Sequence, residues 1–538
     1  MPADTFAADS LPPRDEWPDL IFTLPELHYP AYVNCAERLL DRHVREGNGA
    51  RRCIVAPSGT WTYEQLARTA NRIANVLTRE LGIVPGNRVL LRGPNTPMLA
   101  ACWFAVIKAG AIAVTTMPLY RAAELRNIIG KAAVRHALCD ARLVDELRSA
   151  VSGDPSFTLL AFDEGELDAL MRRQPDEFEN VRTAVDDVAL IAFTSGTTGK
   201  PKAAMHFHRD ILATCDTYGR HVLQARRDDL FTGSPPLGFT FGLGGLLLFP
   251  LDIGAATLLL EKAPPDQLLA AIEEYRVSVV FTAPVAYRTM SEGAANFDLS
   301  SLRTCVSAGE TLPRPVWEAW RDATGIEILD GIGSTEMLHI FIGSPADRVR
   351  PGFTGQPVPG YFAQIHDDEG RAMDPGETGR LAVKGPTGCR YLDDERQRAY
   401  VRNGWNYPGD AYRMSEDGYF QYVARTDDMI ISSGYNVSGP EVEEVLLAHA
   451  DVRECAVVAK PDRARHTNIV KAYVVLAAGS DAQPEKLVEL QEFVRSRIAP
   501  FKCPREIEFV QELPRTQTGK VQRFRLREHA AAESPDIP

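Results

Sequence analysis

Residues 87–118 constrain the fold more than any other stretch of the chain. An apolar run at 88–91 leads into an apolar helix pattern at 96–109, and a second apolar run follows at 111–115. Strand, crossover helix and strand at this spacing make a βαβ unit, which requires a parallel sheet covered by helices. The pattern returns downstream. Residues 278–282, 304–307 and 326–329 read as buried strands, with a helix at 313–323 before the last of them. The expected class is α/β, with stacked α/β sheets in a large N-terminal part.

A chain of 538 residues is too long for one core, and its texture changes twice. After about residue 360, short alternating runs separated by Asp-Glu-Gly and Pro-Gly-Glu turns (368–370, 375–379) predict a mostly antiparallel β subdomain over about 350–425. Beyond 425–427, helices at 440–449 and 485–498 flank strands at 454–459 and 471–476, a small α+β unit. The expected domains are 1–425 and 426–538. Residues 1–30 read as a loosely structured lead-in, and 34–45 as a helix. Thr62 and Gln65 fit a capping box opening the next helix.

Composition excludes some functions. The net charge of −13 argues against non-specific binding to nucleic acid or anionic membranes. Nine scattered cysteines without a CxxC suit free, buried thiols in a reducing compartment. No basic, apolar leader opens the chain, and no apolar run is long enough to span a bilayer. A cytoplasmic protein is expected, monomer or homodimer.

Open α/β sheets bind ligands beyond the carboxyl ends of their strands. Four polar or glycine-rich segments follow predicted strands: 194–202, 283–287, 307–310 and 331–336. The first, Thr194-Ser195-Gly196-Thr197-Thr198-Gly199-Lys200-Pro201-Lys202, concentrates glycines, hydroxyls and lysines as a phosphate grip requires. It is not a Walker A loop, because Thr194 stands where that pattern needs glycine and Pro201 where it needs Ser or Thr. Neither G-x-S-x-G nor G-x-G-x-x-G occurs, which weighs against an α/β-hydrolase and a dinucleotide oxidoreductase.

Single residues read two ways. Glu336, beside Thr335, is a candidate Mg²⁺ ligand or a helix N-terminal acid. Asp410 is a ribose acceptor or an ordinary turn aspartate, and Lys520 a delivered cation or part of a solvated basic tail. His206 and His208 lack a third ligand at metal spacing and read as structural. His339 is a core histidine or a polar point in an apolar pocket. The apolar, aromatic and glycine-rich stretch 237–245 is core, or its glycines leave room for a flat ligand.

Together, TSGTTGKPK (194–202), SAGE (307–310), GIGSTE (331–336), GWNYPGD (404–410), RTDDMIISSGYNVSGPEVE (425–443) and PRTQTGK (514–520) resemble the adenylate-forming superfamily of acyl- and aryl-CoA ligases, luciferase-like enzymes and peptide-synthetase adenylation domains. SAGETLP, DGIGSTEMLHIF and MIISSGYNVSGPEVE look most like the benzoate-CoA ligase branch, and FTFGLGG (239–245) like 2-aminobenzoate-CoA ligases. The resemblance implies a large N-terminal domain and a mobile C-terminal one. It implies ATP, Mg²⁺ and coenzyme A, with an acyl-adenylate intermediate followed by a CoA thioester.

Residue by residue, the resemblance gives the β- and γ-phosphates to 194–202, and the α-phosphate and Mg²⁺ to Thr335 and Glu336. Gly309 and Glu310 would line the adenine site, with Asp330, Gly331 and Ile332 along its other side. Asp410 and Arg425 would bind ribose, Asp427 would be the hinge, and Lys520 would bridge carboxylate and α-phosphate. Gly434 and Tyr435 would face the pantetheine tunnel. Phe239, Thr240, Phe241, Gly242, Ala283, Tyr287, Ala308, Gly333, His339 and Ile340 would line an acyl pocket suited to a flat aromatic acid. Pro408 stands where the family often has Ser or Thr, and Ile332 where it often has an aromatic ring. A short- or medium-chain acyl-CoA synthetase, an enzyme loading a separate carrier protein, and a degraded nucleotide-binding protein are the competing readings.

Overall fold

The computed structural model describes residues 3–194, 201–426, 428–432, 435–462, 467–498, 500–516 and 519–533. The βαβ expectation holds: Arg88–Arg92 and Ile112–Thr116 pair in parallel, joined by the helix Pro97–Lys108. That helix is buried almost throughout, which explains why it lacks a polar face. Thr96 caps it, its hydroxyl accepting from the Leu99 N–H at 3.2 Å.

These strands belong to a six-stranded sheet in the order Thr158–Phe162, His136–Asp140, Arg88–Arg92, Ile112–Thr116, Val188–Thr194, Lys202–Phe207. Only its last pair is antiparallel. A second, nine-stranded sheet runs through Ile340–Gly343, Ile328–Gly333, Thr304–Ala308, Val279–Thr282 and Leu230–Gly233, parallel in the middle and antiparallel at both edges. One continuous apolar core lies between the two sheets and includes the helix Pro97–Lys108. Strand parity sorts the second sheet. Val279, Phe281, Val306 and Leu329 face that shared core, whereas Val280, Cys305 and Ile328 face the helices on the outer side.

The antiparallel subdomain is present, built on Phe362–His366, Thr378–Lys384, Asp410–Met414 and Phe420–Arg425. The C-terminal unit has its own three-stranded sheet, Val452–Asp462, Thr467–Leu476 and Glu506–Phe509, and its own apolar clusters. The Thr62–Gln65 capping box forms as read. All nine cysteines are buried and free. No helix of the described residues is long and apolar enough to cross a membrane.

The lead-in is the main correction at the level of fold. Residues 3–30 are packed rather than loose: Ala7, Trp17 and Leu27 are buried, and the Trp17 ring lies 5.7 Å from that of Phe207. Prolines and acids suggested solvent exposure, but apolar residues spaced ten apart escape a periodicity test. The strands His136–Asp140 and Thr158–Phe162 were also not anticipated; at five residues each, they have little room for a pattern.

Candidate functional site

Thr194 ends a buried strand and pairs with Lys202 across an antiparallel register. Between them, Ser195, Gly196, Thr197, Thr198, Gly199 and Lys200 lie outside the described residues, as do Asp427 and Gly434. Tyr435 is described through its backbone, which pairs with Ser432.

The strand Ile328–Gly333 delivers the next group. Ser334 caps a one-turn helix, Thr335–Met337, its hydroxyl accepting from the Met337 N–H at 3.2 Å. His206 Nε2 lies 2.8 Å from the Thr335 carbonyl oxygen and fixes the turn from the first sheet. Burial holds His206 neutral, its pKa pushed down to about 4, and holds His208 down to about 3. His208 Nδ1 accepts from the Cys35 N–H at 3.3 Å, away from this turn. Glu336 is buried, and its Oε1 accepts from the Tyr391 hydroxyl at 2.5 Å. Leu338 then turns the chain at φ +70°, a strained conformation for a branched residue.

Asp410 faces Arg425 on the neighbouring strand, with Arg425 Nη1 3.2 Å from each carboxylate oxygen. The same nitrogen donates to the Pro408 carbonyl at 2.8 Å. Gly409 is required: it sits at φ +86°, and a Cβ would stand 2.8 Å from Arg425 Nη2.

Lys520 enters from the C-terminal unit on a tight turn. Its N–H donates to the Thr516 hydroxyl at 3.0 Å, and its carbonyl accepts from the Thr516 N–H at 2.7 Å. The Lys520 ammonium lies 5.9 Å from the Phe239 ring centroid. Gly309 lies beside it at φ +95°, a backbone conformation that favours glycine, and a Cβ there would only touch Lys520 Cε, at 3.6 Å. Burial lowers the Lys520 pKa; Glu310, Asp410 and Glu336 oppose that and favour the charge. The turn is latched by Glu310, whose Oε1 accepts from the Val521 N–H at 3.1 Å and lies 3.8 Å from Arg515. Arg515 also pairs with Glu454 at 2.7 Å. Burial raises the Glu310 pKa against these cations.

Gly309, Glu310, Asp330, Gly331, Ile332, Gly333, Asp410, Arg425 and Lys520 thus line one cleft of about 920 Å³. Sequence reading nominated all nine from segments scattered over more than two hundred residues. Asp330 carries a buried Oδ1 without a partner among the described residues, and burial pushes its pKa up to about 8.

The acyl-pocket set divides. Phe241, Phe281 and His339 gather with Tyr218 and Phe249, the His339 ring centroid lying 4.6 Å from Phe249 and 5.7 Å from Phe241. Neither His339 ring nitrogen has a partner among the described residues, and burial holds its pKa down to about 3. Thr240, Ala308 and Ile340 are buried beside this group, while Phe239 and Ala283 are half-buried at its edge. Tyr287 does not join it. Its ring packs on Trp320 at 5.3 Å on the outer face of the sheet, and its hydroxyl donates to the Val306 carbonyl at 3.0 Å. The expected space beside the glycines is also filled. A Cβ on Gly242 would stand 2.2 Å from the Pro236 oxygen, and one on Gly244 2.3 Å from His339 Cδ2. These glycines admit neighbouring backbone and rings rather than a ligand.

Sequence reading missed Tyr391, Tyr400 and Arg515, which reach the site only through tertiary contacts. It also missed a fully buried pair between Arg390 and Asp210 beneath it.

The chain matches the AMP-binding enzyme family over residues 40–390 and the AMP-binding enzyme C-terminal domain over 441–520. It is 34% identical to a benzoate–CoA ligase of Thauera aromatica, covering 94% of this chain and 98% of that protein. It is 32% identical to a 4-hydroxybenzoate–CoA/benzoate–CoA ligase of Rhodopseudomonas palustris, covering 92% and 94%. The solved structure of the anthranilate CoA ligase AuaEII in complex with anthranoyl-AMP superposes with a TM-score of 0.91 at 32% identity, covering 95% of this chain and 99% of that one. A benzoate CoA ligase from Burkholderia xenovorans LB400 gives 0.85 at 33% identity, covering 92% and 100%.

Proposed function

Because the chain belongs to the AMP-binding enzyme family, in its benzoate-CoA ligase branch, we propose that the cleft joins an aromatic carboxylic acid to ATP as an acyl-adenylate and then passes the acyl group to coenzyme A. The observation that carries the proposal is the delivery of Lys520 into a cleft lined by Glu310, Asp410 and Arg425, where Glu310, Asp410 and the nearby Glu336 favour its charge and Arg425 opposes it. A carboxylate is a poor acyl donor, because its leaving group would be oxide. Attack by its oxygen on the α-phosphorus forms the acyl–phosphate bond and expels pyrophosphate, leaving AMP as a good leaving group. The CoA thiolate then attacks the acyl carbon and releases AMP.

Lys520 offsets the charge that gathers between carboxylate and α-phosphate in the first step. Asp410, its carboxylate held by Arg425, would accept from ribose hydroxyls. The buried Glu336 carboxylate beside the Thr335 hydroxyl is an all-oxygen donor set that suits Mg²⁺, which would neutralise phosphate charge. Residues 194–202 clamp the pyrophosphate end. Residues 426–538 rotate about 427 between the half-reactions, withdrawing Lys520 and bringing 434–435 to the cleft. The likeness to benzoate- and anthranilate-CoA ligases supports a flat aryl acid over a long chain.

The test is ATP–pyrophosphate exchange with a panel of acids. Benzoate, hydroxybenzoates and 2-aminobenzoate should support exchange with higher kcat/KM than octanoate. A preference for octanoate refutes the aryl assignment. Absence of exchange with every acid refutes adenylation.

A further inference from the structure

We propose that Tyr391 is a positioning residue for adenylation, aiming the Glu336 carboxylate from a strap that also grips the other end of the same turn. The inference rests on the reading of Glu336 as the metal carboxylate. Glu336 sits on a one-turn helix, Thr335–Met337, too short to hold its own side chain. The Tyr391 hydroxyl donates to Glu336 Oε1 at 2.5 Å, and both residues are buried. Nine residues on, the Tyr400 hydroxyl lies 3.0 Å from Ser334 Oγ, the cap of that turn. The two tyrosine rings meet edge to face at 5.9 Å.

The strap is anchored to the strand that leaves the phosphate loop. The Met205 N–H donates to the Arg390 carbonyl, and the Leu392 N–H to that of Ala203, each at 2.8 Å. The Lys202 ammonium lies 5.3 Å from the Tyr391 ring centroid. One phenol therefore stands between the base of the polyphosphate clamp and the carboxylate.

A phenol–carboxylate bond is charge-assisted. It engages one oxygen of Glu336 and fixes the carboxylate plane, so the other oxygen keeps one bearing toward a phosphate-bound cation. Partners that orient a ligating carboxylate in this way commonly change metal affinity by about 10- to 100-fold. The phenol remains protonated, since burial and the adjacent Glu336 charge both raise its pKa.

Tyr391→Phe keeps the ring, its packing and the Lys202 contact, and removes only the donor. Mn²⁺ affinity, read by electron paramagnetic resonance in the presence of α,β-methylene ATP, should fall about 10- to 100-fold. Pyrophosphate exchange should fall and recover partly at high Mg²⁺. Thioester formation from preformed acyl-AMP should persist. Wild-type Mn²⁺ affinity in Tyr391→Phe, with affinity lost in Glu336→Gln, overturns the positioning role alone. Unchanged affinity in Glu336→Gln overturns the metal reading beneath it. Equal loss of both half-reactions shows a merely structural tyrosine and also overturns the proposal. If Tyr391→Phe does not fold, Tyr400→Phe, which loosens the same turn through Ser334, should shift Mn²⁺ affinity in the same direction; no shift refutes the strap.

Discussion

Replacing Glu310 by alanine should uncouple the two half-reactions. In the structure its carboxylate accepts from the Val521 N–H at 3.1 Å, next to Lys520, and lies 3.8 Å from Arg515. A hydrogen bond to a charged acceptor contributes about 1.5–3 kcal/mol. The Arg515 pair is partly exposed, at 27% and 25% of side-chain area, and adds about 0–1 kcal/mol. Burial opposes the Glu310 charge, which offsets part of this, so we take about 1.5–2.5 kcal/mol for the latch. At 1.36 kcal/mol per decade, the docked-to-undocked ratio should fall about 10- to 70-fold. Pyrophosphate exchange should fall by at most that factor, while thioester formation from synthetic acyl-AMP and CoA should stay within about twofold of wild type. Stopped assays of each half-reaction, with matched saturation by ATP, separate the two. Equal losses in both, or an undiminished exchange rate, would refute the latch. A rise confined to KM for ATP with kcat retained would return Glu310 to adenine binding alone.

Lys520→Ala should cripple exchange and largely spare thioester formation; a uniform loss would contradict the two-conformation reading. Arg390→Met should lower stability by about 3–5 kcal/mol in urea titration, because it strands a buried Asp210 charge, and adding Asp210→Asn should recover much of the loss. Asp330 has its pKa raised from 3.8 to about 8 by burial. Between those values the folded chain holds a proton that the unfolded chain has released, so stability falls as pH rises from about 4 to about 8. Asp330→Asn should therefore raise Tm in the ligand-free protein, with the gain larger at pH 8 than at pH 5. A gain independent of pH would show that Asp330 ionises normally in the fold.

Much of this protein was legible because its information is local. A buried βαβ unit writes itself as apolar runs at fixed spacing, and 87–118 folds as that pattern requires. The same holds for the Thr62–Gln65 cap and the α+β texture after 425. Strand-end position alone marked the segments 307–310 and 331–336, whereas the roles of the nine cleft residues came from the six motifs that resemble the family.

What stayed hidden depends on which groups meet across the fold. Tyr287 follows a strand, as a pocket residue should, yet it lies on the helix Pro284–Gly293, whose buried face packs against Trp320 on the outer side of the sheet. The glycines of 237–245 look like open space in one dimension, but Pro236, Phe281 and His339 occupy that space. Tyr391 reaches Glu336 across 55 residues of sequence, through an edge pairing that no local pattern announces. Composition and periodicity determined the layers of this protein and the strand ends that can carry chemistry. Tertiary structure alone decided which charges share one desolvated cleft. That decision requires knowing the distances between groups whose interaction energy depends on separation and burial, not on order along the chain.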